Sequence, residues 1–515
     1  MLRFFKSEHG YALVLSLIFM PVFLGFSLLM IDMGRGNNSH SDLQAAADAV
    51  ALAGARELDG RVSSIADANA AMANLTNNVG LLGLDSASSN IELVFADTDG
   101  NEFQVIFLTD IPADDEDPID QAFVDDNATT DGRFANYVHV IAQSQNLQTF
   151  FPVPVTFVRG DVPIQARATA TYVSAACDVT PIYICNPFEG TVNPDINENF
   201  EQGNFYGRQL ELQFTGASSP FPGNFGFLRT FGSGGSVLGE ALATGAPGVC
   251  FGKEELDPEP GATVGPVEQG MNTRMGIYAG SYGNKKTNPD YRPAQNVRKG
   301  QEQSGNTCNG YSEETNEYDA MALPAGDGTP VTLPGGQVSQ DSNWNLDLYW
   351  DVTHSGQDPH PLESNPAYVP PAAPAASIRN TVSSYPGGTT PATTTPSRYD
   401  VYRYEILQSL TGSTAPNGES GAPSCHAGYN IADYANDLDR RLIFGAIVNC
   451  LEHADDINGA SSTIPGEAFG SFFMSKPVTT IGSNKSIHLE LVDVTGPGGN
   501  GTLEEFLREE AVLVR

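Results

Sequence analysis

Residues 11–31, YALVLSLIFMPVFLGFSLLMI, form an apolar run of 21 residues without a charged side chain. As an α-helix this run spans about 31 Å, which matches a bilayer hydrocarbon core of roughly 30 Å. A cleaved secretory signal has a shorter apolar region and a small-residue cleavage site after it. Here the run ends in Asp32-Met33-Gly34-Arg35 instead. We therefore predict a transmembrane helix over residues 11–31, in which Pro21 is tolerated as a kink.

The short polar segment before this run indicates its orientation. Residues 1–10 contain Arg3 and Lys6, and positive charge favours the cytoplasmic side. We predict a cytoplasmic leader over residues 1–10 and export of the rest of the chain. The leader resembles that of type IV prepilins, because Gly10 is followed by an aromatic residue and a long apolar helix. Those leaders carry Glu at the fifth position after the glycine, where this chain has Leu15, so we predict that the leader is retained.

The amino-acid composition restricts the structural class and the partners of the exported part of the chain. The 515 residues predict two or three domains. Asp and Glu number 62 against 26 Lys and Arg, for a formal charge of −36, and such a surface repels nucleic-acid phosphates. We therefore expect no nucleic-acid partner. Only 17% of residues are charged while Gly and Pro number 53 and 34, which favours a protein rich in strands and loops.

The cysteine count agrees with export to an oxidising compartment. An even number predicts up to three disulfides among 15 possible pairings, and the absence of paired CxxC motifs argues against a zinc site. We predict that the first cysteine pairs with the second, the third with the fourth and the fifth with the sixth. The candidates in that order are Cys177, Cys185, Cys250, Cys308, Cys425 and Cys450.

Residues 32–176 have the pattern of an α+β module. After a polar break over residues 34–39, Ser41 and Gln44 fit a capping box that would begin an alanine-rich helix ending near Leu58. A second helix is predicted over residues 65–77. Period-two alternation then predicts an antiparallel sheet, with strands at residues 91–95, 103–107, 137–142 and 164–172.

The remaining chain gives weaker patterns. Residues 177–359 are interpreted as a loop-rich extracytoplasmic region and residues 360–397, rich in Pro and Thr, as a linker. Residues 398–515 are interpreted as a C-terminal α/β segment. Its apolar run at residues 442–449 predicts a strand buried on both faces, to which 469–473 and 487–494 would pair, and residues 503–512 would close the chain as a helix. The predicted fold class is thus α+β, with a transmembrane helix, alanine-rich helices on a small sheet, and a larger disulfide-containing region.

The amino-terminal segment resembles the TadE/TadG-like assembly proteins of Flp-type (tight-adherence) pili. The resemblance rests on HGYALVLSLIFMPVFLGFSLLMIDMGR together with LQAAADAVALAGARELDG, between residues 9 and 60. The family pairs a membrane span that exits through Asp-Met/Leu-Gly-Arg with an alanine-rich helix. The resemblance implies an envelope location and a part in building or anchoring Flp pili, and it implies no catalytic residues.

Several later islands resemble a TadG-related subgroup, among them CDVTPIYICNPFE, GMNTRMGIY, RYDVYRYE and RRLIFGAIVNC. Some TadG-like proteins carry a von Willebrand factor A domain whose metal site begins with D-x-S-x-S. The nearest match is DVTHS at residues 351–355, and too little chain follows it for a complete domain of that kind. We therefore predict no metal site there. Because the sequence also contains no HExxH, G-x-S-x-G or Walker motif, we predict no cofactor and no enzymatic activity.

The resulting hypothesis is a structural component of Flp pilus assembly or tight adherence. It would cross the bacterial inner membrane once and place its C-terminal bulk in the periplasm. Its partners would be other pilus-assembly or envelope proteins, with no small-molecule substrate. Small residues let helices approach closely, so Ala46, Ala53 and Gly54 are candidates for a partner-helix contact. The alternative is a surface adhesin or ligand-binding protein stabilised by Ca²⁺, which the acidity and the cysteines also fit.

Overall fold

The computed structural model describes most of the chain with internal gaps. The described residues are 9–75, 78–80, 90–92, 103–112, 114, 116–152, 159–177, 179–214, 225–232, 234–246, 248–253, 255–259, 264–298, 301–302, 308, 311–312, 331–332, 338–339, 344–356, 358, 360–412, 420–434, 440–457, 463–481, 484–496, 499–503 and 506–515. Residues 1–8 of the predicted leader and most of the predicted strand at 91–95 lie outside them. The chain divides into two compact units, Met1–Val173 with Glu509–Arg515, and Ser174–Arg508.

Helix α1 (His9–Ala55) is continuous over 47 residues, with Pro21 inside it. The predicted break at residues 34–39 and the capping box at Ser41 and Gln44 are therefore wrong. A capping box satisfies amides that have no carbonyl one turn earlier, and here residues 37–40 already belong to the helix. The Gln44 amide instead donates to Asp48 Oδ1 and to the backbone oxygen of Arg167, both at 2.7 Å.

The first unit packs α1 on an antiparallel sheet. It also contains α2 (Ser64–Ala73), α3 (Gln121–Asn127) and a two-stranded pair of β1 (Asn78–Gly80) and β2 (Asn90–Glu92). The sheet consists of β3 (Phe103–Leu108), β4 (Tyr137–Pro152) and β5 (Arg159–Cys177), whose last residues enter the second unit. The predicted strands at 103–107, 137–142 and 164–172 are confirmed. Strong period-two alternation with one buried face was sufficient to locate them.

The end of the chain adds a strand to this sheet. The predicted helix at residues 503–512 is wrong, because the structure has β18 (Leu507–Leu513) next to β5. Val514 N–H donates to the Thr169 oxygen at 2.8 Å, and Thr169 N–H donates to the Arg515 oxygen at 2.7 Å. Without this segment, the edge strand β5 would expose unpaired backbone N–H and C=O groups. Pairing with these groups stabilises the strand conformation more than the weak helical pattern of LEEFLREEAV stabilises a helix.

The second unit contains a seven-stranded sheet with helices on both faces. Along the main path the strands are β16 (Thr479–Ile481), β17 (Asn484–Val494), β15 (Ala468–Met474), β14 (Leu442–Val448), β6 (Ile182–Cys185) and β8 (Phe225–Phe227), and β7 (Gln209–Phe214) pairs with β17. Strand β14 is buried at every position and runs parallel to β6 and antiparallel to β15. The prediction of a strand buried on both faces is confirmed.

Helices cover this sheet because its strands present apolar side chains to both sides. One face packs Ile443 and Ile447 against α5 (Gly235–Thr244) and α6 (Val264–Thr273). The other packs Phe444 among aromatic residues of the opposite layer. The remaining helices are α4 (Ile196–Glu201), α7 (Leu346–Trp350), α8 (Pro361–Ser364), α9 (Ala375–Val382), α10 (Arg398–Leu407) and α11 (Ala454–Ile457), and the remaining strands are β9 (Cys250–Gly252), β10 (Gln301–Glu302), β11 (Tyr311–Ser312), β12 (Val331–Thr332) and β13 (Val338–Ser339).

The Pro/Thr-rich stretch at residues 360–397 is not a linker. It contains α8 and α9, and Ile378 and Val382 lie in the core of the second unit. The Trp344 indole N–H donates to the Pro396 oxygen at 2.9 Å, which ties the end of the stretch to that core. Pro and Thr make a segment extended, but a few well-placed apolar side chains are enough to bury it.

The six cysteines form three disulfides, but the predicted pairing is wrong in all three. Cys177 and Cys250 oppose each other in the register of β5 and β9, and Cys185 and Val448 oppose each other in the register of β6 and β14. Spacing along the chain could not reveal these contacts, because they arise from strand pairing between distant segments. The bonds are Cys177–Cys250, Cys185–Cys450 and Cys308–Cys425.

Candidate functional site: the membrane anchor and its junction

The first half of α1 exposes nearly all of its apolar side chains. Its most apolar window of 18 residues has a mean hydropathy of 2.5 and contains no buried residue. Phe23 and Met30 are 73% and 75% exposed. Residues 13–31 span about 28 Å of helix, close to the thickness of a bilayer core. By length and composition, this is the one helix among the described residues that could cross a membrane.

A buried polar cluster lies where the apolar half of α1 ends. The Asp32 carboxylate is 3.3 Å from Arg35 Nη1, one helical turn later, and both side chains are less than a tenth exposed. Asp32 Oδ1 also accepts a hydrogen bond from the Phe150 backbone N–H at 2.9 Å, and the Arg35 guanidinium stacks 4.3 Å from the centre of the Phe150 ring. The first charged residues after the apolar run thus fasten α1 to the end of β4.

The second half of α1 buries its small residues on the sheet of the same unit. Ala47, Val50 and Ala51 are fully buried, and Ala46 is 6% exposed. Small side chains let the helix lie close to the sheet, much as they do between helices. This face is the part of α1 that the sequence predicted as alanine-rich.

Of the three partner-helix candidates, Ala46 and Gly54 are buried against the protein's own chain. A Cβ added at Gly54 would lie 2.7 Å from the Met72 sulfur of α2. Ala53 is half-buried at the edge of the same core. The contact of these residues with a partner therefore stays a prediction, and Ala53 has the most accessible surface of the three.

The apolar half, the Asp32 and Arg35 pair and the alanine-rich face all lie on α1, and this helix is also where the chain resembles known proteins. Residues 10–57 match the family model described as putative Flp pilus-assembly TadE/G-like. The match covers the apolar half of α1, the cluster at Asp32 and Arg35, and the alanine-rich face. It confirms the family resemblance of the amino-terminal segment. No curated protein and no solved structure matches the chain.

Outside the TadE/G-like segment, the RYDVYRYE motif (residues 398–405) forms most of helix α10. Its side chains pack this helix against the sheet of the second unit. The Arg398 guanidinium is 3.2 Å from the Glu490 carboxylate of β17, and both side chains are at most 1% exposed. Glu490 also accepts hydrogen bonds from the Arg398 and Tyr399 backbone N–H groups at 3.1 and 3.0 Å. Burial raises the pKa of Glu490, and the adjacent Arg398 charge opposes that shift. The pair fixes the start of α10 to the sheet.

A second buried carboxylate, Glu405, contacts polar side chains from two other segments of the chain. It accepts hydrogen bonds from Tyr349 Oη at 2.8 Å and from Asn296 Nδ2, and it lies 2.6 Å from His354 Nε2. Burial would raise the pKa of Glu405, but the His354 contact and the Arg298 charge together lower it. His354 belongs to the DVTHS segment, which forms a π-helical turn. His354 is therefore part of the buried polar network around Glu405.

Two further carboxylates, missed by the sequence analysis, lie beside the Cys185–Cys450 disulfide. Glu189 is fully buried, and its Oε2 accepts a hydrogen bond from Leu451 N–H at 3.0 Å. Burial raises the pKa of Glu189 to about 7 and that of Glu467 also to about 7. Cysteine sulfur and Glu189 oxygen atoms lie within 4.8 Å of one another, but sulfurs bonded to each other are not thiolate ligands. We therefore interpret Glu189 as a buried carboxyl beside a disulfide rather than as a metal ligand.

Proposed function

We propose that the protein is a single-pass, membrane-anchored component of Flp pilus assembly or tight adherence with a scaffolding role. One observation carries this proposal. The apolar, exposed half of α1 lies within residues 10–57, the range that matches the pilus-assembly family. The family supports a non-enzymatic role and partners among other pilus or envelope proteins.

The proposed topology places the body in the periplasm. Three disulfides support it, because such bonds form and persist in oxidising compartments. A reporter fused after Gly60 should give an extracytoplasmic signal. Arg515 is hydrogen-bonded to β5, so the second probe is better placed at Val369, which is 83% exposed. A Val369→Cys variant should react with a membrane-impermeant maleimide in spheroplasts, and protection until the membrane is lysed would contradict the proposed topology.

The proposed partner contact involves the accessible edge of the alanine-rich face of α1, where Ala53 lies. Ala53→Leu tests it, because Ala53 retains accessible surface, whereas Ala46→Leu serves as the matched variant inside the core. We expect Ala53→Leu to weaken co-purification with envelope partners while the chain stays folded. Ala46→Leu should destabilise the first unit instead, since overpacking a core costs about 1–3 kcal/mol. Unchanged co-purification of Ala53→Leu would exclude a partner contact at this position.

Deletion of the gene tests the function itself. We expect fewer surface pili and weaker adherence while the amount of pilin in the cell is unchanged. Complementation with Leu24→Asp should fail because a charge in the apolar run opposes insertion, whereas Val62→Asp, at an exposed site of the same unit, should restore adherence. Normal piliation and adherence in the deletion strain would reject the assembly role and leave the alternative, a surface adhesin or ligand-binding protein, to be tested by ligand-binding assays.

A further inference from the structure

The hairpin of β4 and β5 ends at the membrane side of the first unit. Pro152 and Arg159 are its last paired residues, and we call Phe150 to Pro152 together with Arg159 the hairpin end. The backbone of Phe150 is bonded to Asp32, the first residue after the apolar run of α1. The hairpin end therefore begins at the level where α1 leaves the bilayer.

The direction of β4 carries the hairpin end toward the bilayer. At its other end the strand lies beside a later part of α1, because Gln44 donates to the oxygen of Arg167, which pairs with Ile141. From Ile141 to Phe150 the strand thus passes from the level of Gln44 to that of Asp32. Those twelve helical residues span about 18 Å, so each of the nine strand residues advances about 2 Å along α1. Pro152 is then about 4 Å closer to the apolar run than Phe150.

The sequence at this end of the hairpin is apolar in an otherwise acidic protein. Residues 150–158 read FFPVPVTFV and include no charged side chain. The segment before β4, at the opposite end of the same strand, is NATTDGRF and contains Asp131 and Arg133. Aromatic and apolar residues favour the bilayer interface, and a basic residue beside them favours anionic headgroups.

We infer that the hairpin end is a second membrane contact, seated in the interface of the leaflet that faces the body of the protein. This inference rests on the membrane anchor of the proposed function. The contact would hold the first unit at a fixed orientation to the bilayer, because α1 and the hairpin then meet the membrane at two points joined through Asp32 and Phe150. Its partner is lipid, since β4 advances toward the same bilayer that α1 spans and its last residues, Phe150 to Pro152, are apolar.

Nitroxide labels on the full chain in lipid nanodiscs test the inference. Single cysteines are introduced as Phe151→Cys, as Leu24→Cys within the anchor, and as Phe134→Cys, a 57% exposed site before the other end of β4. Collision with oxygen reports lipid, and collision with a water-soluble nickel chelate reports solvent. We expect the ratio of oxygen to nickel collisions to be several-fold higher at 151 than at 134, and highest at 24. Peptide mapping without reductant verifies the three native disulfides in each variant.

The possible outcomes separate the two proposals. A lipid-exposed label at 24 with a water-exposed label at 151 would overturn the second contact and leave the anchor standing. A water-exposed label at 24 would overturn both. If Phe151→Cys fails to fold, the unmodified chain is photolabelled with lipids that carry a diazirine near the headgroup. Crosslinks to the peptide containing Phe151 would support the contact, and crosslinks to α1 alone would overturn it.

Discussion

Removing the Asp32 carboxylate should loosen the end of β4. In Asp32→Ala the Phe150 amide loses an acceptor at 2.9 Å, and the Arg35 guanidinium loses a carboxylate at 3.3 Å. Asp32 and Arg35 are both less than a tenth exposed, so water replaces these partners poorly. Asp32→Asn is the matched variant, because it keeps an oxygen acceptor for Phe150 and removes only the charge.

The size of the effect can be worked out from the distances. Two unit charges at 3.3 Å attract by about 5 kcal/mol at an effective dielectric constant near 20. Desolvation offsets much of that attraction, but removing one partner of a buried pair still costs about 3–5 kcal/mol. We take about 3 kcal/mol as the loss in the free energy of local opening at Phe150, which corresponds to roughly 100-fold faster amide exchange. Asp32→Asn should cost about half as much, or roughly tenfold.

Hydrogen–deuterium exchange with mass spectrometry on the full chain in nanodiscs measures this change. The peptide that contains Phe150 should exchange faster in the order wild type, Asp32→Asn, Asp32→Ala. A peptide from β14 in the second unit should not change and serves as the internal control. Equal exchange of the Phe150 peptide in wild type and Asp32→Ala would refute the proposed role of the cluster as the fastening between α1 and β4.

Three further perturbations follow from the packing. Replacing Cys185 and Cys450 by Ala opens a loop of 265 residues and should lower the free energy of unfolding by about 5 kcal/mol; an unchanged midpoint under non-reducing denaturation would argue against this bond. Burial raises the pKa of Glu189 from its ordinary value near 4.5 to about 7 in the folded protein, so its stabilisation is complete below pH 4.5 and is lost as the pH rises through 7. Glu189→Gln should therefore match wild type at pH 4.5 and exceed its stability by up to about 3 kcal/mol at pH 8, whereas an equal difference at both pH values would exclude this titration. Gly54→Leu should cost about 1–3 kcal/mol by overpacking against Met72, with partial rescue by Met72→Ala, and a melting temperature equal to wild type would show that α2 moves away freely.

Predictions from the local sequence pattern succeeded wherever the residues of one short segment determine its secondary structure and its buried face. The uncharged run at 11–31 identified the exposed apolar helix, and alternation identified β4 and β5. The continuous apolar run at 442–449 identified the most buried strand. In each case the spacing of apolar residues reports the surface that a single element must bury.

Predictions failed where a distant segment decides the outcome. Ser41 and Gln44 would form a capping box only if the chain before them were not helical. In the structure the helix continues through residues 34–40, and Asp32 and Arg35, just before these residues, contact β4. The final segment became a strand because β5 had an edge to cover. The carboxylates Glu189, Glu405 and Glu490 gave no signal, since their partners lie tens to hundreds of residues away.

The sequence by itself therefore determined the anchor, the family resemblance and the strand pattern of the first unit, because hydrophobicity and its period are local properties. The tertiary structure alone decided which cysteines pair, where the Pro/Thr-rich stretch packs and which charges are buried together. The physical reason is that these interactions depend on proximity created by folding. Cys185 meets Cys450 only because β6 and β14 lie side by side in one sheet, and no spacing along the chain encodes that neighbourhood.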